Sequence, residues 1–211
     1  MTDFNRKDHW EKIYGTKSLN EVSWYQSVPS TSLEMVRFFD LPKNASIIDV
    51  GGGDSFLVDH LLEMGYTAIT VLDISEKAID RAKARLSEKA NKVSWIIADA
   101  ATFIPTERYD FWHDRAAFHF LTNEAEISNY IKAIDTGLKT SGKLVLGTFS
   151  ENGPTKCSGI AIKQYSESSM LNRVKPNFRK IKCFTIDHET PFNTTQNFLF
   201  CSFEKSSEAK E

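Results

Sequence analysis

Small and acidic residues stand where three apolar runs of the sequence stop. Ser46-Ile-Ile-Asp-Val50 leads into Asp49-Val-Gly-Gly-Gly-Asp-Ser55, Ala68-Ile-Thr-Val-Leu72 stops at Asp73, and Lys92 to Ala98 stops at Asp99. Glycines let a backbone approach a ligand closely and adopt positive φ. The amides that open a following helix receive a negative group. A carboxylate about 20 residues beyond such a turn can accept hydrogen bonds from both ribose hydroxyls of a nucleoside. An acid at the next run end, Asp99, can accept from the exocyclic amine of adenine. Each feature also has a plainer reading, the turn as a tight loop and each Asp as a helix N-cap. Together, at successive run ends, they point to an adenosine-containing ligand. A dinucleotide fits less well, because its fingerprint needs a third Gly where Phe56 stands.

A second group follows the next apolar run. Tyr109-Asp-Phe-Trp-His-Asp-Arg-Ala-Ala-Phe-His-Phe-Leu121 carries Asp114, Arg115, Phe118 and His119 close together. His119 has the residue type of a general base, with an unperturbed pKa of about 6.5, and equally that of a cap or packing residue. His113, just before the expected strand end, reads as buried away from the site. The stretch Phe149 to Gly159 holds Cys157, which is a reactive thiol, a soft-metal ligand or a structural residue, and Tyr165 follows it. Upstream, Ser23-Trp-Tyr-Gln26 offers Trp24 and Tyr25 for stacking on a base or shaping a lid, or for anchoring that segment to the core.

These residues need a frame. Apolar runs at 46–50, 68–72, 92–98, 109–113 and 143–149 read as strands. Helical spacing at 56–64, 75–89 and 123–138 separates them, except between the third and fourth runs. Such alternation predicts a parallel sheet covered on both faces. The runs 178–185 and 195–203, joined around Pro191-Phe-Asn193, predict a hairpin, so one strand must run antiparallel. Helical patterns at 6–14 and 32–39 precede the first strand and predict a cap, since about 45 residues bury no core of their own.

The chain has 211 residues, 41% hydrophobic and 12% aromatic, which suits one domain with a sizeable core. A formal net charge of -2 gives no reason to expect a nucleic-acid or membrane partner. No apolar run spans a bilayer and the first residues lack a signal-peptide core, so a cytoplasmic protein is expected. The three cysteines, Cys157, Cys183 and Cys201, match no zinc spacing. No metal is expected, and the thiols read as reduced.

Ile47-Ile-Asp-Val-Gly-Gly-Gly53, Val71-Leu-Asp-Ile-Ser75 and Ala98-Asp-Ala100 resemble the first three motifs of the class I S-adenosylmethionine-dependent methyltransferases, over about 47–203. The resemblance implies a doubly wound α/β fold: a mostly parallel seven-stranded, Rossmann-like sheet with an antiparallel C-terminal hairpin strand and an N-terminal helical cap. It implies a cap or lid over 1–45, a core over 46–205 and a disordered tail over 206–211. S-adenosylmethionine is the implied cofactor and S-adenosylhomocysteine the product. The implied cofactor residues are Trp24, Asp49, Gly51, Gly52, Gly53, Asp73, Ile74, Asp99, Ala100 and Asp114. Asp114 and His119 are the expected catalytic pair, and Tyr25, Arg115, Phe118, Cys157 and Tyr165 the expected acceptor pocket. The turn departs from the family pattern, which has a further Gly at Ser55 or Asp54. Asp114-Arg-Ala-Ala-Phe-His119 also resembles the Asp-Lys-Gly-Thr-x-Asp motif of lysine methyltransferases acting on elongation factor and citrate synthase, with His119 replacing the last acid. A small-molecule acceptor is expected. A protein lysine is the alternative, and a non-catalytic S-adenosylmethionine-binding protein the further one.

Overall fold

The computed structural model describes residues 4–175 and 177–206. The chain opens with α1 (Arg6–Thr16), capped by the Asn5 side chain, and α2 (Ser30–Phe39), which buries Leu33, Met35 and Val36. Strands and helices then alternate, except between β3 and β4: β1 (Ser46–Val50), α3 (Leu57–Glu63), β2 (Ala68–Asp73), α4 (Glu76–Leu86), β3 (Val93–Ile97), β4 (Tyr109–Arg115), α5 (Glu124–Gly137) and β5 (Leu138–Phe149). A two-residue pair, β6 (Lys156–Cys157) and β7 (Ile160–Ala161), precedes α6 (Glu167–Val174) and the hairpin of β8 (Phe178–Glu189) and β9 (Thr195–Lys205).

The seven-stranded sheet has the order β3-β2-β1-β4-β5-β9-β8. β1 to β5 are parallel, and β9 runs antiparallel to both β5 and β8. The expected fold is the observed one. β1 lies at the centre, and Ile47, Ile48 and Val50 are essentially inaccessible to solvent because hydrophobic layers cover both faces. Winding runs outward from β1 to β3, then restarts at β4 on the other side. The crevice between the carboxyl ends of β1 and β4 is therefore the switch point where open α/β sheets bind ligands.

Several boundaries differ from the sequence expectation. β4 continues to Arg115, because Asp114 and Arg115 pair with Leu146 and Gly147 of β5. His113 is therefore inside the strand rather than at its end. α6 and the β6–β7 pair were not expected from the apolar pattern. Of the expected disordered tail over 206–211, residues 207–211 lie outside those described.

The cysteine expectation is corrected. Cys183 and Cys201 sit opposite each other in the β8–β9 ladder and form a disulfide, while Cys157 is a free, buried thiol. Closing a loop of 18 residues should stabilise the fold by about 3 kcal/mol. Cys201→Ser should lower the urea unfolding midpoint accordingly. An unchanged midpoint would show that the bond is not a structural staple.

The Glu11 side chain fastens α1 to the start of α4. Glu11 Oε1 accepts from the Glu76 amide (2.7 Å), placing a carboxylate on the positive end of α4, beside the Ser75 cap. That contact brings Trp10 and Tyr14 over the switch point.

Candidate active site

The turn after β1 is built for close approach. The Gly51 and Gly52 amides donate to Leu72 O (2.7 and 3.2 Å). Gly51 has φ +70, a conformation that a side chain disfavours. At Gly53 a Cβ would lie 2.5 Å from Asp73 Oδ2 and 2.8 Å from the Ala78 Cβ. Gly53 thus permits β1, β2 and α4 to meet, and it does not line the cleft. Asp49, Gly51, Gly52, Asp73, Ile74, Asp99, Ala100 and Trp24 do line it. The missing family Gly is accommodated by charge. Asp54 pairs with Arg85 (2.6 Å) and Arg81 (3.3 Å), and Ser55 Oγ accepts from the Leu57 amide.

Asp73 is buried at the end of β2, and its Oδ1 accepts from the Ser75 amide (2.8 Å). It forms no ion pair with the described residues. Burial pushes its carboxyl up to about 7, against the Ser75 amide and with help from the Asp49 and Glu11 charges. A dry carboxylate with no cation needs neutral donors, and a ribose diol supplies two. Asp99 is placed differently from expectation. Arg6 Nη1 donates to both of its oxygens (2.9 and 2.8 Å), and Arg6 Nη2 reaches Glu126 (2.8 Å). Asp99 still lines the cleft, but it is also taken up by Arg6, which latches α1 to the end of β3 and to α5. With the Ala101 amide on Oδ1 as well (2.9 Å), most of its acceptor capacity is taken, which leaves little for an adenine amine.

Aromatic rings roof the cleft. Trp10 packs edge-on against Trp24 (5.6 Å) and Phe120 (5.0 Å), Tyr14 against Trp24 (6.3 Å), and Tyr25 against Phe56 (6.0 Å). The segment carrying Trp24 is pinned to β8 through His188, whose Nε2 donates to Ser23 O (2.8 Å) while Nδ1 accepts from Gln26 (3.2 Å). Tyr25, Arg115 and Cys157 line the far wall, joined by Gln196 and Phe198 from β9. Burial pushes the Cys157 thiol up, which disfavours the nucleophilic thiolate.

Besides Gly53, four expected site residues are not on the cleft wall. Asp114 is wholly buried behind it: Oδ1 accepts from the Ala117 and Phe118 amides (2.9 and 3.1 Å), and Oδ2 accepts from the Tyr130 hydroxyl (2.5 Å). Phe118 and Tyr165 stack on each other (5.1 Å) within the hydrophobic core. His119 is also fully buried, and its Nδ1 accepts from the Phe149 amide (3.1 Å). Burial, with the nearby Arg115 charge, brings its pKa down to about 3. Neither Asp114 nor His119 can touch an acceptor in this arrangement, so the expected catalytic pair is corrected to two structural groups. The His119 Cε1 resonance should show no titration between about pH 5 and 8, where an ordinary imidazole titrates. A midpoint in that range would return His119 to the list of possible bases.

His113, by contrast, reaches the cleft floor. Its Nδ1 pairs with Asp49 Oδ1 (2.7 Å) and its Nε2 with Ser32 Oγ (2.9 Å). This buried chain joins α2 of the cap to the Gly-rich turn. Sequence reading missed it because the strand end was placed two residues early. Arg6, Tyr14 and Gln196 were missed because no local signal marks them. Among the described residues no cluster of three or more His, Cys, Asp or Glu could hold a metal ion, and no helix is long and apolar enough to cross a membrane.

Comparison with known proteins agrees with this geometry. Residues 47–142 match a family described as a methyltransferase domain. The chain is 25% identical over 145 residues to an eEF1A lysine and N-terminal methyltransferase of Mus musculus, which covers 68% of this chain but 20% of that protein. It is 28% identical over 139 residues to Nodulation protein S of Rhizobium fredii, covering 66% and 75%. The chain thus spans about a fifth of the length of its eEF1A-methylating relatives. The N-methyltransferase NodS of Bradyrhizobium japonicum WM9, solved with S-adenosylhomocysteine, superimposes with a TM-score of 0.70 at 14% identity, over 96% of this chain and 100% of that one. At that identity the likeness is one of fold. The strand order and the glycine turn with Asp73 beside it agree with a methyltransferase domain over residues 47–142, a little under half of the chain.

Proposed function

We propose that the protein transfers the methyl group of S-adenosylmethionine to a small-molecule acceptor. The observation that carries this reading is the roofed half of the cleft, where Trp24, Tyr25 and Phe120 face Arg115, Cys157 and Phe198. An enclosed, largely aromatic chamber suits a small ligand, and a protein side chain would have to enter beneath the cap. When bound, the cofactor supplies an electrophilic methyl group on its sulfonium sulfur. Asp73 would accept from the ribose hydroxyls, and Gly51 and Gly52 would let the backbone come close to the amino-acid part. Trp10, Tyr14 and Trp24 exclude water and hold the acceptor in line, which is the main catalytic work such a displacement requires. With His119 and Asp114 walled off, the favoured acceptor presents a lone pair that needs no prior deprotonation.

In this reading residues 1–45 are a lid on a core that spans 46–205, and the cytoplasm is the proposed location. The eEF1A-methylating relatives favour a second reading, a protein acceptor. Labelled S-adenosylmethionine incubated with the protein and a fractionated lysate separates the two. Label in the low-molecular-weight fraction is expected. Label in protein overturns the small-molecule reading, and no transfer to any fraction supports a binding protein without catalysis.

A further inference from the structure

Three arginines stand on the cleft wall, and the protein neutralises two of them. Arg6 pairs with Asp99 and Glu126, and Arg81 with Asp54. Arg115 forms no ion pair with any described residue. Its guanidinium lies over the Phe198 ring (4.8 Å) and Nη1 donates to Trp24 O (3.2 Å), while Nη2 is shut off from solvent and has no partner. Arg115 is part-buried, and a charge drawn from water without a counter-charge is disfavoured; a lone ring face with one carbonyl offsets only part of that.

The acids nearby do not pair with it: Asp49 favours its charge only secondarily and is held by His113, and Asp187 and Glu189 on the second cleft form no ion pair with it. Burial, and secondarily the Arg115 charge itself, lowers the pKa of both His119 and His188, so both favour the neutral form beside the guanidinium. Burial also raises the Cys157 thiol, which stays protonated and neutral at ordinary pH. On the same wall, Gln196 Oε1 is a second buried polar atom with no partner. Arg115 also borders a second cleft, shared with Tyr25, Gln26, His188 and Phe198. The guanidinium therefore stands where the methyl-transfer chamber meets that cleft, which offers a way in from the β8 side.

Resting on the methyltransferase reading above, we propose that Arg115 binds a carboxylate of the methyl acceptor, with Gln196 taking a hydrogen-bond donor beside it, so that the substrate is a small carboxylic acid. A guanidinium suits this task through its planar array of N–H donors, which engages both oxygens of a carboxylate. One unpaired cation next to a neutral amide matches a single negative charge. The acceptor's carboxylate would supply the charge that the fold omits, and its docking would orient the reacting lone pair.

The cofactor has a carboxylate too, so the experiment must tell the two sources apart. Calorimetry on the full chain begins with S-adenosylhomocysteine. If that does not bind, the methyltransferase reading itself fails, independently of the proposal. The saturated complex is then titrated with formate, acetate and benzoate and with their primary amides. At least one acid should bind about tenfold or more tighter than its amide, a margin within that of charge-assisted over neutral hydrogen bonds. The preference should persist in Arg115→Lys and vanish in Arg115→Gln. No acid preference in the wild type overturns the proposal without recourse to a variant, as does a preference that survives in Arg115→Gln. It is equally overturned if Arg115→Gln weakens S-adenosylhomocysteine strongly while 5′-methylthioadenosine, which lacks the carboxylate, binds as before. Arg115 would then belong to the cofactor.

Discussion

Replacing Asp73 by Asn should weaken S-adenosylhomocysteine binding by about ten- to a hundredfold, the loss expected when hydrogen bonds to a charged acceptor are removed. Asn keeps the shape and can still accept from the Ser75 amide. It cannot accept from two ribose hydroxyls at once, because one side of it now donates. The same change should make the ligand-free protein more stable above neutral pH. Burial holds the Asp73 carboxyl at about 7 in the fold, against 3.8 for the free side chain. The folded state therefore binds the proton more tightly than the unfolded chain does. The stability linked to this proton is fully present below about pH 4 and lost as pH rises to about 7; above that, the ionised group burdens the fold in full. At about pH 8 the Asn variant escapes that burden, and its Tm should rise by several degrees.

A pH series completes the test. The ionised carboxylate is the form that accepts from the ribose. Wild-type affinity should fall as pH drops through about 7, and the Asn variant should lack that dependence. Loss of binding with no gain in stability would mean that Asp73 is better solvated than its burial indicates. A gain in stability with normal binding would remove Asp73 from the ribose site.

The strand ends were legible because chemistry and pattern coincide there. An apolar run that stops at Asp73 or Asp99 announces both the end of a buried strand and a carboxylate beyond it. The end of β4 lacked this coincidence. His113, Asp114 and Arg115 look polar enough to end the strand, yet His113 is satisfied by Asp49 and Ser32, Asp114 by the following turn, and Arg115 lies over the Phe198 ring while still pairing in the strand. Placing the end two residues early turned His113 away from the cleft and Asp114 into it. Arg6 and Asp99 are 93 positions apart, and only the completed fold brings them together. The disulfide went against the reading of reduced thiols, although the hairpin register contains it. Glu189 faces Thr195 and Cys183 faces Cys201, each pair equidistant from Phe192. A hairpin centred on Pro191-Phe-Asn193 therefore sets the two thiols opposite each other.

The last consequence concerns Asp114, whose removal should damage folding more than binding. Asp114→Ala strips the acceptor from two amides and the Tyr130 hydroxyl, all buried, while Tyr130 is itself held by Trp112 Nε1 (3.2 Å). Each orphaned donor costs about 1–3 kcal/mol, so a total loss of about 3–5 kcal/mol is expected, at the severe end for a point change. The turn it holds is under strain as well: Ala116 has φ +70, a conformation costing about 1–2 kcal/mol for a residue with a side chain. That turn carries Arg115 and Ala117 into the cleft wall, so Asp114 positions the acceptor side without touching it. Asp114→Asn retains the oxygen facing the two amides and alters only the contact with Tyr130. It should lose about 1 kcal/mol and keep most methyl transfer. Urea unfolding of both variants, measured beside transfer of labelled methyl, distinguishes this from direct chemistry. An Asn variant with native stability and no transfer would restore Asp114 to the reaction, and it would then be the cleft wall, not the carboxylate, that is misplaced.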